Sequence, residues 1–368
     1  MSIKRKILLV QLFSNGDCLY ATAVAKQIKQ DYPDSHLTWA IAGFCKSIIA
    51  NNPYVDEIME VNSVPKNDVA AFRKFKKEVS RRKGNGEFDE VFITHNMDTN
   101  QALYDGCIRS GILNAYPNRI TVPIQPVLHL YENEKEKVKG FALSHKLQNY
   151  RDVILFEFSP LSGQSGITKE IAINIAENLT ANNDVAIILS SANKIQHTNE
   201  NIIDGSVLSI RETAELTHYC TMLLGCSSGI TWISTSDAAK FLPTIQILDF
   251  GTTWINPLSR DFKRCHFDTT YIIEMENSGK DKIIKCAMLA LKDFSSAKKK
   301  FNEEIPLQFK TTRKIVYNLL CYLEFEAIAR HIKVNKKVYG NNFSFYKEVL
   351  LGFITAPFKL IYNVIVKK

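Results

Sequence analysis

Short apolar runs alternate with amphipathic patterns along the first part of the chain. The apolar runs predict strands over residues 6–13, 36–42, 56–61 and 90–95. The patterns between them predict helices over residues 18–30, 44–50, 68–83 and about 98–111. Strands that alternate with helices are typical of βα units, which build a mostly parallel sheet.

A second series of the same kind follows a break in the pattern. The periodicity fades from Pro117 to about Asp152, where three prolines and the charged stretch ENEKEKVKG predict a linker. Beyond it, strands are predicted over 153–158, 185–189, 222–226 and 244–248, with helices over 168–179, 212–220 and 229–239. The sequence therefore predicts an α/β protein with two Rossmann-like lobes.

The same pattern predicts how the chain divides. We expect an N-terminal lobe over 1–125, a linker over 126–151, a C-terminal lobe over 152–309 and a basic helical tail over 310–368. Two such lobes imply a cleft, and ligands of such sheets bind outside the carboxyl ends of the strands. The loops expected to carry function are therefore 14–17, 159–168, 190–198 and 226–229.

The composition is that of a folded globular protein. Of 368 residues, 45% are hydrophobic and 23% are charged, which excludes a disordered or collagen-like chain. Eight cysteines without a C-x-x-C pair predict reduced thiols and argue against a zinc site or a disulfide framework. The apolar run near the N-terminus suits a strand better than a signal peptide, and no uncharged run approaches the roughly 18 residues of a membrane span. We expect a cytoplasmic protein.

The positive charge is confined to the C-terminal tail. Residues 310–368 hold 11 basic and three acidic side chains, so the net charge of +8 lies there, and the preceding residues carry 35 charges of each sign. Apolar positions at helical spacing predict that 314–331 packs back on a lobe. The segment 343–368 combines aromatic and aliphatic residues with lysines, which favours an interfacial helix on anionic lipid; a dimer contact is the alternative. No nucleic-acid partner is expected, because no basic groove interleaved with aromatic residues is evident.

The turn Ser14-Asn15-Gly16-Asp17 is the first candidate for chemistry. It lies between the first strand and the first helix, where free N–H groups of the helix favour an anion. Asp17 could be held ionised there and act as a general base toward a hydroxyl. Asp17 or Ser14 could equally serve only as a helix cap, and the two roles are compatible.

This region resembles the bacterial heptosyltransferase-type glycosyltransferases of family 9. The similarity rests on KILLVQLFSNGDCLYATAVAKQIKQDYPDSHLTWAI with NPYVDEIMEV, and returns at ETAELTHYCTMLLGCSSGITWISTS. The resemblance implies a two-lobed GT-B fold and a second lobe that binds a nucleotide-sugar donor. It also implies that Asp17 is the catalytic base.

The chain departs from that family's pattern at the donor segment. Ser227-Ser228-Gly229-Ile230-Thr231-Trp232 lacks the acidic residue and the histidine of the usual D-[ST]-G-x-x-H, and the K-x-W element is absent. Only Lys169 could replace the lost cation. These departures argue against ADP-heptose as the donor.

Two small, hydroxyl-rich loops of the second lobe nevertheless suit a diphosphate. Both open a predicted helix and would offer N–H and O–H donors to phosphate oxygens. Their candidate residues are Ser162, Gly163, Gln164, Ser165, Thr168 and Lys169 in one loop and Ser227, Ser228 and Gly229 in the other. Loops of this composition also simply cap helices. No Asp-x-Asp motif is present to hold a divalent cation, so neither a metal nor a cofactor is expected.

A rival motif overlaps the second loop. Gly225-Cys226-Ser227-Ser228-Gly229 satisfies the G-x-S-x-G of α/β-hydrolases, with Asp249 or Asp261 and then His266 downstream. The hydrolase hypothesis leaves the first βα series without a role.

The sequence thus predicts an inverting, metal-independent glycosyltransferase at the inner face of the cytoplasmic membrane. Its acceptor would be a lipid-linked surface glycan such as lipopolysaccharide core, bound by Ser14, Asn15, Gly16 and His95. A serine hydrolase using Ser227 and a catalytically silent, membrane-associated glycan- or nucleotide-binding protein remain the alternatives.

Overall fold

The computed structural model describes residues 4–158, 163–181, 184–252, 254–277 and 279–366, with side chains up to Pro357. The chain forms two compact units. The first unit comprises the chain up to Lys46, Tyr54–Ile124 and the chain from Leu307 onward. The second comprises Ser47–Pro53 and Gln125–Pro306.

The first unit is built on a parallel sheet. Its elements up to residue 124 are β1 (Lys6–Val10), α1 (Asn15–Asp31), β2 (His36–Ile41), β3 (Glu57–Glu60), α2 (Val69–Gly84), β4 (Glu90–Ile93) and α3 (Ile108–Asn114), with 3₁₀ helices at Gly43–Ile49 and Asp98–Leu103. Among the described residues four strands pair in the order β3-β2-β1-β4.

The second unit holds a larger parallel sheet. Its elements are α4 (Glu132–Ser144), β5 (Asp152–Glu157), α5 (Lys169–Leu179), β6 (Val185–Ser190), β7 (Ile202–Asp204), α6 (Ile210–Leu216), β8 (Met222–Gly225), α7 (Gly229–Ile233), β9 (Thr244–Leu248), α8 (Leu258–Arg264), β10 (Ile272–Glu276), α9 (Lys280–Lys292) and α10 (Phe294–Phe301). Within the described part of this unit the order is β10-β9-β8-β5-β6-β7.

Both sheets reverse their strand order at one place. The second unit has the doubly wound order 3-2-1-4-5-6 of a Rossmann sheet, and the first unit has its first four strands. The reversal lies between β1 and β4 in one unit and between β5 and β8 in the other. The prediction of two Rossmann-like lobes is therefore confirmed.

Continuous apolar strands explain these sheets. In β1 and β5 every residue after the first is buried, as is typical of parallel strands in sheets with helices on both faces. The second unit's cores lie on the two sides of its sheet, one built around Ile154 and Ile187 and the other around Leu155 and Ile188.

The stretch predicted as a linker contains a helix. In α4, Val138, Phe141 and Ala142 stand at helical spacing and are buried against the second unit's core, together with Leu147. Charged neighbours masked this narrow apolar stripe in the sequence. Sequence reasoning also missed β7, β10 and α8–α10.

The C-terminal segment folds with the first unit. It forms α11 (Lys310–Leu320), α12 (Phe325–Tyr339) and α13 (Phe343–Val366). Ile315, Val316 and Leu319 of α11 are buried, as the expected packing of 314–331 requires. No helix in the described residues is long and apolar enough to cross a membrane.

Polar contacts fix α12 to the loop that follows β4. The Asn335 side-chain amide donates to the Tyr104 carbonyl over 3.0 Å, and the Tyr339 hydroxyl donates to the Asp105 carbonyl over 2.6 Å. His331 is fully buried beside the Ala102 carbonyl, and burial lowers its pKa to about 4, so the ring is neutral. These bonds attach the basic segment to the first sheet.

Leu319→Ala should lower the free energy of unfolding by about 2–5 kcal/mol, because it removes a side chain that is buried to 99% in this packing. Leu350→Ala is the matched control: this leucine is 59% exposed and its loss should cost no more than about 0.5 kcal/mol. Chemical denaturation of both variants checks this. Equal, small effects would show that α11 is not part of the first unit's core.

Candidate functional site

The predicted residues of the first lobe meet where its strand order reverses. Ser14 follows β1 and is the extended N-cap residue of α1, and Asp17 lies in the first turn of that helix. His95 follows β4, whose register pairs Val10 with Ile93. Ser14, Asn15, Gly16, Asp17 and His95 thus come to one end of the sheet, the end where ligands bind in folds of this kind.

Asp17 has a perturbed carboxyl group. Burial raises its pKa to about 7, while a hydrogen bond from the Ser14 backbone N–H and the charge of Lys66 act in the opposite direction. A carboxyl group with a pKa near neutrality is partly ionised at pH 7 and binds a proton strongly enough to accept one from a hydroxyl. The side-chain amide oxygen Oδ1 of the neighbouring Asn15 is buried without a hydrogen-bond partner.

His95 lies behind this turn. Only 3% of it is exposed, and its ring meets the rings of Phe13 at 4.6 Å and Phe72 at 5.1 Å edge to face. Gln11 Nε2 lies 3.2 Å from Nδ1, and burial lowers the pKa of the ring to about 4, so it is neutral. The contact of His95 with an acceptor stays a prediction. In the structure, the His95 ring packs against Phe13 and supports it.

The second unit's reversal point is organised by a residue that sequence reasoning missed. Glu157 ends β5 and is 1% exposed. Its Oε2 accepts hydrogen bonds from the backbone N–H groups of Cys226 (2.9 Å) and Ser228 (3.2 Å) and from the Thr231 hydroxyl (3.1 Å). A lone carboxylate at the end of an apolar run gives no sequence signal, because such a position is usually where a strand reaches solvent.

Burial raises the pKa of Glu157, and the three donors only partly offset it. Its other oxygen, Oε1, is buried without a hydrogen-bond partner. One of the N–H groups that the sequence offered to a phosphate, that of Ser228, therefore already donates to a carboxyl group of the chain. Gly225 is needed here, since a Cβ on it would lie 2.7 Å from the Thr231 hydroxyl.

Two hydroxyls of these loops cap helices. Ser228 accepts from the Ile230 N–H over 3.1 Å at the start of α7, and Thr168 accepts from the Ile171 N–H over 3.3 Å at the start of α5. Gly229 is the first residue of α7, and Lys169 is the exposed first residue of α5. Their binding of a donor stays a prediction.

The rest of the first loop contacts mainly the segment between β9 and α8. Gln164 is buried, its Oε1 accepts from the Asn256 N–H over 2.7 Å, and its carbonyl accepts from the Asp249 N–H over 2.8 Å. Gly163 is exposed with φ +68°, and the Ser165 hydroxyl lies beside the Cys226 thiol. Ser162 lies outside the described residues.

The burial of its members argues against the hydrolase triad of Ser227, Asp261 and His266. Ser227 is 1% exposed and has φ +62°, whereas His266 is exposed after α8 and Asp261 is fully buried. A buried serine offers no nucleophile to a substrate. In the part of the chain that the structure describes, no three side chains of the metal-ligating types come together.

Comparisons with known proteins identify the fold. No protein-family model matches the sequence, and no curated protein does. A family 9 glycosyltransferase from Veillonella parvula has a similar structure, with a TM-score of 0.57 at 14% identity over 80% of this chain and 99% of that one. ADP-heptose lipopolysaccharide heptosyltransferase II of Escherichia coli gives a TM-score of 0.50 at 12% identity over 78% and 99%.

A third similar structure has the name of an enzyme of another class. A protein from Listeria monocytogenes assigned as a UDP-N-acetylglucosamine 2-epimerase gives a TM-score of 0.51 at 10% identity, over 88% of this chain and 98% of that one. The chain therefore has the fold of heptosyltransferase-type family 9 glycosyltransferases, as its sequence pattern indicated. Because an epimerase has a similar fold, function has to be argued from the site.

Replacing Asp17 with asparagine should change how stability depends on pH. Asp17 has a pKa of about 7 in the folded protein and an ordinary value of 3.8 in the unfolded chain. Between these pH values only the unfolded chain loses the proton, so the free energy of unfolding falls as the pH rises. The free energy of unfolding of Asp17→Asn, relative to the unaltered protein, should thus rise from pH 4 to 7 by an amount on the order of a few kcal/mol. Chemical denaturation across that range measures it.

Asp34→Asn is the control, because Asp34 is an exposed aspartate just beyond α1. If the two variants showed the same pH dependence, the raised pKa of Asp17 would be refuted.

Proposed function

We propose that the protein is a glycosyltransferase that moves a sugar from a nucleotide-sugar to an acceptor hydroxyl, with Asp17 as general base. The observation that carries the proposal is the carboxyl group of Asp17 at the reversal point of the first sheet, with a pKa of about 7. The fold supports it, since two of the similar structures are glycosyltransferases by name.

The proposed reaction needs one proton transfer and one displacement. Asp17 takes the proton of the acceptor hydroxyl as its oxygen attacks the anomeric carbon, and the bond from that carbon to the nucleoside diphosphate breaks. A single displacement inverts the configuration at the anomeric carbon. A base with a pKa near the working pH combines a large ionised fraction with a strong affinity for the proton.

The second unit is the proposed donor site. Its loops with Ser162–Thr168, Lys169 and Ser227–Gly229 follow the central strands β5 and β8, and Glu157 fixes the second loop by three hydrogen bonds. The names of two similar proteins contain a nucleotide-sugar, ADP-heptose in one and UDP-N-acetylglucosamine in the other. We propose that phosphate oxygens bind to loop donors without a metal, and that the donor is not ADP-heptose.

The proposed acceptor is a lipid-linked surface glycan, such as lipopolysaccharide core, at the inner face of the cytoplasmic membrane. The support is twofold: one similar structure is a lipopolysaccharide heptosyltransferase by name, and all of the net positive charge follows residue 309. Basic segments beside apolar ones are attracted to anionic lipid surfaces.

A nucleotide screen tests the donor site. UDP, ADP, GDP and CDP should each be added to the protein, and one of them should raise its melting temperature, since a ligand at about a hundredfold excess over its Kd stabilises by about 2.7 kcal/mol. Asp17→Asn should keep this shift, because the substitution lies in the first unit. Glu157→Leu should lose it, because the loop 226–231 loses its shared acceptor.

The absence of a shift with all four nucleotides would contradict the donor site and favour a catalytically silent binding protein. Glu157→Leu is interpretable only if its melting curve without nucleotide remains cooperative.

The base is tested with the sugar-nucleotide that the screen identifies. Release of nucleoside diphosphate in the presence of a bacterial glycolipid extract should fall about 10²–10⁴-fold in Asp17→Asn. In the unaltered protein, kcat/KM should rise with pH up to about 7, since the base works only when ionised. An Asp17→Asn variant with normal turnover and an unchanged pH profile would remove Asp17 from the mechanism.

A further inference from the structure

Over its described side chains, Phe343–Pro357, helix α13 has one apolar face that is buried and one that is exposed. Phe345, Val349, Gly352 and Ala356 recur at intervals of three and four residues and are buried. This inner face packs on α11 so closely that a Cβ on Gly352 would lie 2.8 Å from Cβ of Val316. The inner face therefore holds α13 in one orientation on the first unit.

The outer face of α13 exposes large apolar side chains. Phe343 is 82% exposed, Leu350 59%, Phe353 39% and Ile354 49%. Residues 343, 350 and 354 repeat at helical spacing, so they lie on one side of the helix, opposite the inner face. Isolated exposed apolar residues need no explanation, but four within twelve positions form a continuous surface.

The two described charged side chains of α13 lie on different sides of the helix. Glu348 turns toward α11, where Arg313 holds it with two hydrogen bonds of 2.7 and 3.0 Å. Lys347 is exposed between Phe343 and Leu350. Over residues 343–357, the described side chains of the outer face thus include one cation and no acid.

From this arrangement we infer that the outer face of α13 is the surface by which the protein lies on an anionic lipid bilayer. Phe343, Leu350 and Ile354 enter the boundary between headgroups and acyl chains, and Lys347 extends to the headgroup phosphates. The inference deepens the membrane association in the proposed function and rests on it, by naming the residues that bind.

Charge distinguishes lipid from a second copy of the chain as the occupant. A two-fold contact through this face would bring two Lys347 side chains together, along with two segments that each carry a net charge of +8. The same segment carries further exposed basic residues on α11 and α12, such as Lys314, Lys333 and Lys337. An anionic lipid surface complements the same charges.

The test substitutes the outer face and leaves the inner face intact, since removing the whole segment would expose the core around Leu319. Leu350→Glu/Ile354→Glu should reduce sedimentation with phosphatidylglycerol-containing vesicles at least about tenfold relative to the unaltered protein. Val207→Glu/Met288→Glu is the matched control, because it places the same charges on exposed apolar positions of the second unit. This control should bind vesicles as the unaltered protein does.

Pure phosphatidylcholine vesicles should bind the unaltered protein weakly, and salt should weaken its binding to the anionic ones. Equal binding by the two double variants would overturn the inference, as would an unaltered protein that binds no vesicles. A dimer in analytical ultracentrifugation that Leu350→Glu/Ile354→Glu converts to a monomer would assign the face to a second copy instead. Loss of the nucleotide shift with vesicle binding intact would refute the glycosyl transfer and leave the lipid surface standing.

Discussion

The reversal of strand order in each parallel sheet is the constraint on which the rest of the structure depends. Chain connections leave β1 and β4, and likewise β5 and β8, toward opposite faces of their sheets. The carboxyl ends of those strands are therefore not covered by a crossover, and polar residues can gather there. The turn with Asp17 and the loop 226–231 occupy these two positions.

The two reversal points use a buried carboxyl group in different ways. Oε2 of Glu157 accepts three hydrogen bonds from one loop of its own chain, so the role of this residue is to shape that loop. Asp17 receives a hydrogen bond from its own turn and lies near the exposed Lys66, and it stays partly accessible. A carboxyl group that is desolvated but still reachable suits proton transfer, whereas one enclosed by the chain suits architecture.

Much of the fold follows from the sequence because buried parallel strands are continuous apolar runs. Lys6–Val10 and Thr244–Leu248 are examples that need no tertiary information. The sequence could not reveal β7, which has three residues, or α4, whose apolar stripe lies among charges. It also could not reveal Glu157, because the donors that make this residue important are about 70 positions away along the chain.

The charge of the C-terminal segment alone does not predict whether the segment packs on a lobe or extends freely. A run with a net charge of +8 could have been a free tail, yet its helix α12 is anchored by hydrogen bonds to residues 102–105, in the segment that follows His95 and β4. The apolar outer face of α13 is then carried by the same compact unit as Asp17. The proposed lipid surface and the proposed base therefore belong to one compact unit, so an acceptor held in that surface would lie on the unit that carries Asp17.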